Sequence, residues 1–548
     1  MGSMTAAVLA LGGVSPALAS STQEAILQDD NELLYSTPEH VGHALDQLVS
    51  LGVQRVRVSL IWGLVAPRPK SMRRPRFDAT DPAAYPAGAW ERYDTLVVAA
   101  VQRGIGVEFN VTAPAPYWAA TSPAPAPDVR SIYSPSASEF GKFVEAVGRR
   151  YSGDYVANPP PAPPPPPTIL GIPLPFGNNP PAPTAPVTLP RVNYWGIYNE
   201  PDEGGWLTPQ WRRLANGRWV EAAPVIYRGL VDAAWRALLA TTHGTDTILI
   251  GETAARGLNG VYGLGASMKP MPFIRALYCV NGGLRPLSGR RASDLSCPTG
   301  GSPAAFAAAH PGLFQASGYA HHPYSFGSPP AERMSDPDVV TLADLPRLEH
   351  ALDQIFQSYG AQRIAGLPIY IDEWGYKSNP PNPYVQWTQV QQAAFINQGE
   401  YMAWVDPRVR STAQFLLVDS PPNAQKPVGS RSYWGTFQTG LIMLNGHIKP
   451  SLAAYRLPVF VPDPRPGPRV TVWGAIRPGL WGTIRNAVVD FELTRRGAAG
   501  FAAVRNVVTA NPLGYFVAHV AVPGPGSLRI TWRSPDGTTF HSRTVRVG

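Results

Sequence analysis

The chain has 548 residues, a formal net charge of +8 and 44 % hydrophobic residues. That is too much apolar material for a disordered protein and enough for a large core. At roughly 100–200 residues per domain, the length suits one large domain with a small companion. The Lys and Arg excess is dispersed, with no basic stripe on any helix, so no nucleic-acid partner is expected.

Residues 1–20 read as a cloning scar, Met1-Gly2-Ser3, joined to the remnant of a signal peptide. The apolar run at 6–14 is far shorter than the ~20 residues of a membrane span. It leads to Ala17-Leu18-Ala19, the small-x-small pattern before a signal-peptidase cut. A secreted, extracellular protein with no membrane association after cleavage is expected.

From there strands and helices alternate. After an early strand near EAILQDD, a helix opens at Thr37-Pro38-Glu39 with a capping Thr, a first-turn Pro and an acid facing the helix dipole. Val41, Ala44, Leu45 and Leu48 place one apolar face on it, and Leu51-Gly52 ends it. The β-branched run VQRVRVSLIW follows. The same unit recurs through IGVEFNVTA, VNYWGIYNE, TILIGETA, ASGYAHHPYS, LPIYIDEWG and TAQFLLVDS, each preceded by an amphipathic helix or, before ASGYAHHPYS, by the region holding both cysteines. Near-continuous apolar strands between amphipathic helices indicate a parallel sheet covered on both faces. Eight such strands and the absence of GxGxxG after the first favour an α/β fold of the closed (β/α)8 TIM-barrel type over 21–456.

A proline-rich insertion at 158–190 joins the third helix to the fourth strand, so it should emerge at the N-terminal face as a spacer or docking arm. Residues 457–469 read as a stiff linker. Short alternating runs from 470 to 548, such as VTVWGAI and LRITWRS, predict a C-terminal all-β sandwich of immunoglobulin-like size. The two cysteines, Cys279 and Cys297, suit a disulfide in an oxidising compartment, with two buried free thiols as the alternative.

In a parallel barrel, functional side chains stand at the C-terminal ends of the strands. Those ends offer Arg57, Asn199 and Glu200, His322 and Tyr324, and Glu373. Glutamates close the fourth and seventh strands, nearly opposite one another around a ring of eight. Two carboxyl groups flanking a cleft are what glycoside hydrolysis requires. Asp372 adjoins Glu373 and, by strand alternation, should point to the other face. Glu252 ends the fifth strand as a further acid that could line the cleft.

Tyr-Asn-Glu-Pro after the fourth strand and Ile-Asp-Glu-Trp-Gly after the seventh resemble the motifs of the clan A retaining glycoside hydrolases. Ala-Pro-Ala-Pro-Tyr-Trp, His-Pro-Tyr and LIMLNGHIKPSLAAY look most like family 39, with families 5, 30 and 79 as neighbours. The strand-three His-Asp pattern of family 39 is absent. The resemblance implies Glu200 as acid/base and Glu373 as nucleophile, with Arg57 near the nucleophile, His322 and Tyr324 orienting it, and Asn199 on the sugar 2-hydroxyl. It also implies an O-glycosyl hydrolase acting on an oligo- or polysaccharide without metal or organic cofactor. A transglycosylase or a non-catalytic carbohydrate-binding barrel are the alternatives. Trp118, Trp374 and Trp434 are candidate sugar-stacking residues. Lys70, Arg73, Arg74 and Arg76, on the loop after the second strand, read as a solvated loop or as a reader of acidic saccharides. Arg57 and the Tyr324 hydroxyl should lower the pKa of Glu373, while its charge raises that of Glu200.

Overall fold

Eight parallel strands pair in sequence order and close into a barrel in the computed structural model. It describes residues 20, 22–157, 168–169, 172–173, 186–300, 302–325, 327–465, 468–477, 486–495, 500–522 and 524–548. The leader and most of the proline-rich insertion lie outside the described residues. At the base of that insertion Val156–Ala157 pairs antiparallel with Val187–Thr188.

The barrel strands are β1 (Glu24–Gln28), β2 (Arg55–Ile61), β3 (Gly106–Thr112), β4 (Tyr194–Ile197), β5 (Thr247–Ala254), β6 (Gly318–His322), β7 (Ile369–Trp374) and β8 (Val409–Phe415). The helices that follow them are α1 (Pro38–Ser50), α2 (Glu91–Gln102), α3 (Ala137–Arg150), α4 (Ala223–Ala240), α5 (Pro270–Leu277), α6 (Leu345–Ser358), α7 (Gln389–Val405) and α8 (Pro450–Arg456). This is the arrangement of a (β/α)8 barrel. Local signals set the helix ends: the Thr37 hydroxyl accepts the His40 N–H, and Ser136 caps α3 through the Glu139 N–H. Val41, Ala44, Leu45 and Leu48 are the buried stripe of α1. One apolar cluster joins the outer faces of the strands to these helices. Among the described residues, no helix is long and apolar enough to cross a membrane.

Cys279 and Cys297 are disulfide-bonded, their Cα atoms 5.8 Å apart. The bridge ties the second residue after α5 to the turn beyond the short helix Gly289–Asp294. The buried Arg228 of α4 braces this segment, donating to the Ala276 and Leu277 carbonyls at 2.9 and 3.0 Å.

Beyond the barrel the chain forms β9 (Val459–Phe460), β10 (Arg469–Ala475), β11 (Asn486–Arg495), β12 (Ala502–Thr509), β13 (Tyr515–Ala521), β14 (Gly526–Arg533), β15 (Thr539–His541) and β16 (Val545–Val547). They make two antiparallel sheets, β9-β10-β13 and β12-β11-β14-β15, with β16 also on β14. Residues of both sheets share one apolar cluster that includes Val472, Phe516, Phe491 and Ile530. The sheets sit on α7: Trp473 of β10 packs against Tyr401 and Trp404, and the Tyr515 hydroxyl donates to Glu400 at 2.9 Å. Arg477 completes this contact, pairing with Glu400 and donating to the Tyr455 carbonyl.

Candidate active site

Strand ends β2, β4, β5, β6 and β7 converge at the C-terminal mouth of the barrel around one guanidinium and one imidazole. Arg57 of β2 has no exposed surface. It donates to Asn199 Oδ1 at 2.9 Å and to Glu252 Oε2 at 2.6 Å, and it meets Glu373 Oε2 and Asp372 Oδ2 at 3.4 Å. It also bonds Gln28 at the end of β1. An Arg inside an apolar strand needs such partners, and here four strands supply them.

After β4 the chain turns out of the sheet through Tyr198 and Glu200, with φ of +68° and +38°. The Asn199 N–H donates to the Thr112 hydroxyl, which fixes the turn against β3. Glu200 thereby projects to the mouth, its side chain 18 % exposed against 9 % for Glu373. The Tyr324 hydroxyl donates to Glu373 Oε1 at 2.9 Å. His322 Nδ1 lies 2.9 Å from Glu200 Oε1 and 3.8 Å from Glu373 Oε2, so the ring pairs chiefly with Glu200. One oxygen of Glu200, one of Glu373 and a ring nitrogen of His322 all lie within 4.8 Å of one another.

Two further acids complete the cluster, and both stand on irregular strands. β5 carries an extra residue against β6, because Gly251 pairs with Ala320 and Thr253 with His321. Glu252 is that bulged residue, at φ +51°, and it turns into the lumen. Gly196 of β4 makes the space: a Cβ there would fall 2.3 Å from Glu252 Oε1. β7 has a similar shift against β8 between Ile371 and Trp374. Asp372 therefore does not turn away from Glu373 as alternation predicts. It lies in the lumen, 3.5 Å from His322 Nε2 and completely buried.

The charges sort by environment. Burial pushes Glu252 up, but the Arg57 guanidinium and the His322 bond overrule it and hold its carboxyl at about 2. Burial and then the Glu252 charge raise Asp372 well above the usual carboxylate range. Burial opposes charge on His322, yet Glu373, Glu200 and Glu252 together lift it well above 6.5. Glu373 departs from expectation. Burial raises its pKa, and His322, Arg57 and the Tyr324 bond offset this only in part.

The three tryptophans pack against neighbouring rings or helices. Trp374 packs on α7, where a Cβ on Gly399 would come within 2.1 Å of its ring, so it faces the helix layer. Trp118 is 8 % exposed, sits edge-on to Trp62 and Phe77, and donates its indole N–H to Pro67. Trp434 is half-buried beside Tyr433, its carbonyl accepting from Asn382. Phe415 and Phe437 pack on the ring of Tyr324, whose hydroxyl meets Glu373. Of the basic loop, Arg74 is engaged by Glu139 at 2.9 Å.

No protein-family model matches the sequence, and no curated protein matches it. Solved structures do. A family 39 glycoside hydrolase from the gut symbiont Bacteroides cellulosilyticus WH2 aligns at 13 % identity over 93 % of this chain and 81 % of its own, with a TM-score of 0.44. A glucosidase from Croceicoccus marinus aligns at 12 % identity over 92 % and 97 %, with a TM-score of 0.44. A monomeric beta-xylosidase from Caulobacter crescentus CB15 does so at 12 % over 96 % and 94 %, also at 0.44. These structural neighbours are glycoside hydrolases. Likeness this distant decides no chemistry, which rests on the side chains.

Among the described residues, two groupings have the compactness of a cation site, Glu200-His322-Glu373 and Glu252-His322-Asp372. Both share His322, and Arg57 already brings its positive charge to Glu252 and Asp372.

Proposed function

We propose that the chain is a secreted retaining glycoside hydrolase that cleaves an oligo- or polysaccharide by double displacement. One observation carries this reading: a carboxylate oxygen each from Glu200 and Glu373 lies within a 4.8 Å cluster at the barrel mouth. Retaining enzymes hold their two carboxyl groups about 5–5.5 Å apart, whereas inverting ones need roughly 6.5–9.5 Å to admit a water. Glu373, held by Tyr324 and Arg57, attacks the anomeric carbon while Glu200 protonates the departing oxygen. Glu200, the more exposed of the two, then deprotonates the water that releases the sugar. Asn199, clamped by Arg57, stands beside Glu200 where a sugar hydroxyl would arrive. The disulfide fits an oxidising, extracellular compartment. The two C-terminal sheets, taken as a sandwich, support α7 and supply no catalytic group.

The test uses two variants on a panel of aryl glycosides. Glu200→Ala should retain its first step on substrates with a highly acidic leaving group, and azide should rescue turnover with retained configuration. Glu373→Ala should lose activity on every substrate, by about 10⁴-fold or more, with any azide product inverted. Exchange of these behaviours would reverse the assignment.

A further inference from the structure

We propose that Glu252 is a positioning residue of this site: its carboxylate fixes the His322 ring with Nδ1 toward Glu200 and holds Arg57 between Asn199 and Glu373. The proposal rests on the glycosidase reading for its consequences, but its geometry stands apart from it. Glu252 Oε2 is 2.6 Å from the Arg57 guanidinium and 3.3 Å from His322 Nε2. The opposite nitrogen of the same ring meets Glu200 at 2.9 Å, and another nitrogen of the same guanidinium meets Glu373 at 3.4 Å. One buried carboxylate thus reaches both members of the catalytic pair through a single intermediate each.

The chain spends irregular structure to put it there. Glu252 is the extra residue of a bulge, its φ is positive, and Gly196 leaves out the Cβ that would collide with it. A solvent-facing acid would require none of these.

The chemistry follows from the ring. With Nε2–H donated to Glu252, Nδ1 can accept the proton of a Glu200 carboxylic acid or, once protonated, donate to a Glu200 carboxylate. Those are the two states through which an acid/base residue must pass. Without charge on residue 252, either tautomer of the ring would serve. The groups facing His322 are Glu200 from β4, Glu252 from β5, and Asp372 and Glu373 from β7, with His321 as its neighbour on β6. Arg57 from β2 and Glu108 from β3 face Glu252.

The experiment compares the wild type with Glu252→Gln, which keeps shape and removes charge. Histidine-selective ¹⁵N labelling, with His322→Asn for assignment, follows the ring without any substrate. Nε2 of His322 should stay protonated across about pH 5–8 in the wild type, while in the variant the ring should titrate at lower pH and lose that fixed tautomer. With a cleaved aryl glycoside, kcat should fall about 10- to 100-fold while KM changes less than about threefold, and the pH profile should shift with the His322 titration. Gly196→Ala displaces the carboxyl without removing it and should reproduce the signs of these changes. An unchanged His322 titration in folded Glu252→Gln would overturn the proposal. So would failure of both variants to fold, since the carboxylate would then serve only folding. If no glycoside is cleaved by the wild type, the glycosidase reading fails while the titration still decides the positioning role.

Discussion

Single side chains in this lumen carry unusual electrostatic loads, and Glu108 carries one without any partner. It is fully buried on β3, and neither oxygen has a hydrogen-bond partner among the described residues. Burial, opposed by Arg57 and reinforced by the charge on Glu252, pushes its carboxyl up to about 7 from an ordinary 4.5. A folded-state pKa above the unfolded one contributes stability that is complete below the unfolded value and is lost as pH rises through the folded one. Over that interval the loss is about 3 kcal/mol at 1.36 kcal/mol per unit. Glu108→Gln should therefore gain stability relative to the wild type as pH rises from about 4 to about 8, by about 3 kcal/mol in urea denaturation. A difference that stays flat with pH would contradict this. Glu252 has the opposite sign: its depressed pKa contributes stability above about 4.5 that is lost only as pH falls toward 2.

Elements were the legible part of this sequence where they were regular and the illegible part where they were not. The eight strands and the helices between them follow the apolar periodicity, and the cap at Thr37 stands where its side chain suggests. Strict alternation, however, sends Asp372 outward, and the shifted register of β7 brings it in. The bulge in β5 does the same for Glu252. The available signals were the glycines, since an isolated Gly inside a strand pattern marks a bulge or a close approach. Gly251 and Gly196 are of that kind. Trp374 was ambiguous for a different reason. A large ring at a strand end can serve the barrel–helix layer as well as the mouth, and only the small Gly399 opposite Trp374 distinguishes the two. The disulfide gives an element-scale prediction. It closes a loop of 18 residues at the end of α5 that follows the run back from the carboxylate face. Cys279→Ser with Cys297→Ser should lower stability by about 3 kcal/mol through loop entropy, read from the denaturant midpoint, while kcat per folded molecule is unchanged. Loss of turnover in a folded double variant would place this segment in the active site.

The whole molecule divides its labour through α7. One side of that helix offers Gly399 to Trp374 of the barrel, and another offers Glu400, Tyr401 and Trp404 to the C-terminal sheets. Arg477 and Glu400 form a buried ion pair across this contact, and removing one partner from such a pair leaves an uncompensated charge. The sheets thus bear on a helix packed against the strand that carries Glu373, while the acids of the mouth come from β4, β5 and β7. This division was partly readable: the motifs at residues 199–201 and 372–375 marked the two glutamates and the resemblance set Arg57, His322 and Tyr324 beside them, whereas the links from Glu252 to Arg57 and His322 emerge only in the fold.

The central claim is that Glu373 becomes covalently bonded to the sugar. Incubation with a panel of activated 2-deoxy-2-fluoro glycosides, followed by peptide mass mapping, tests it most directly, because the fluorine slows release of the glycosyl-enzyme more than its formation. The account predicts one sugar per chain, on the peptide containing Glu373, with inactivation in step with labelling. A label on the Glu200 peptide, or hydrolysis with inverted configuration and no label on any peptide, would contradict it.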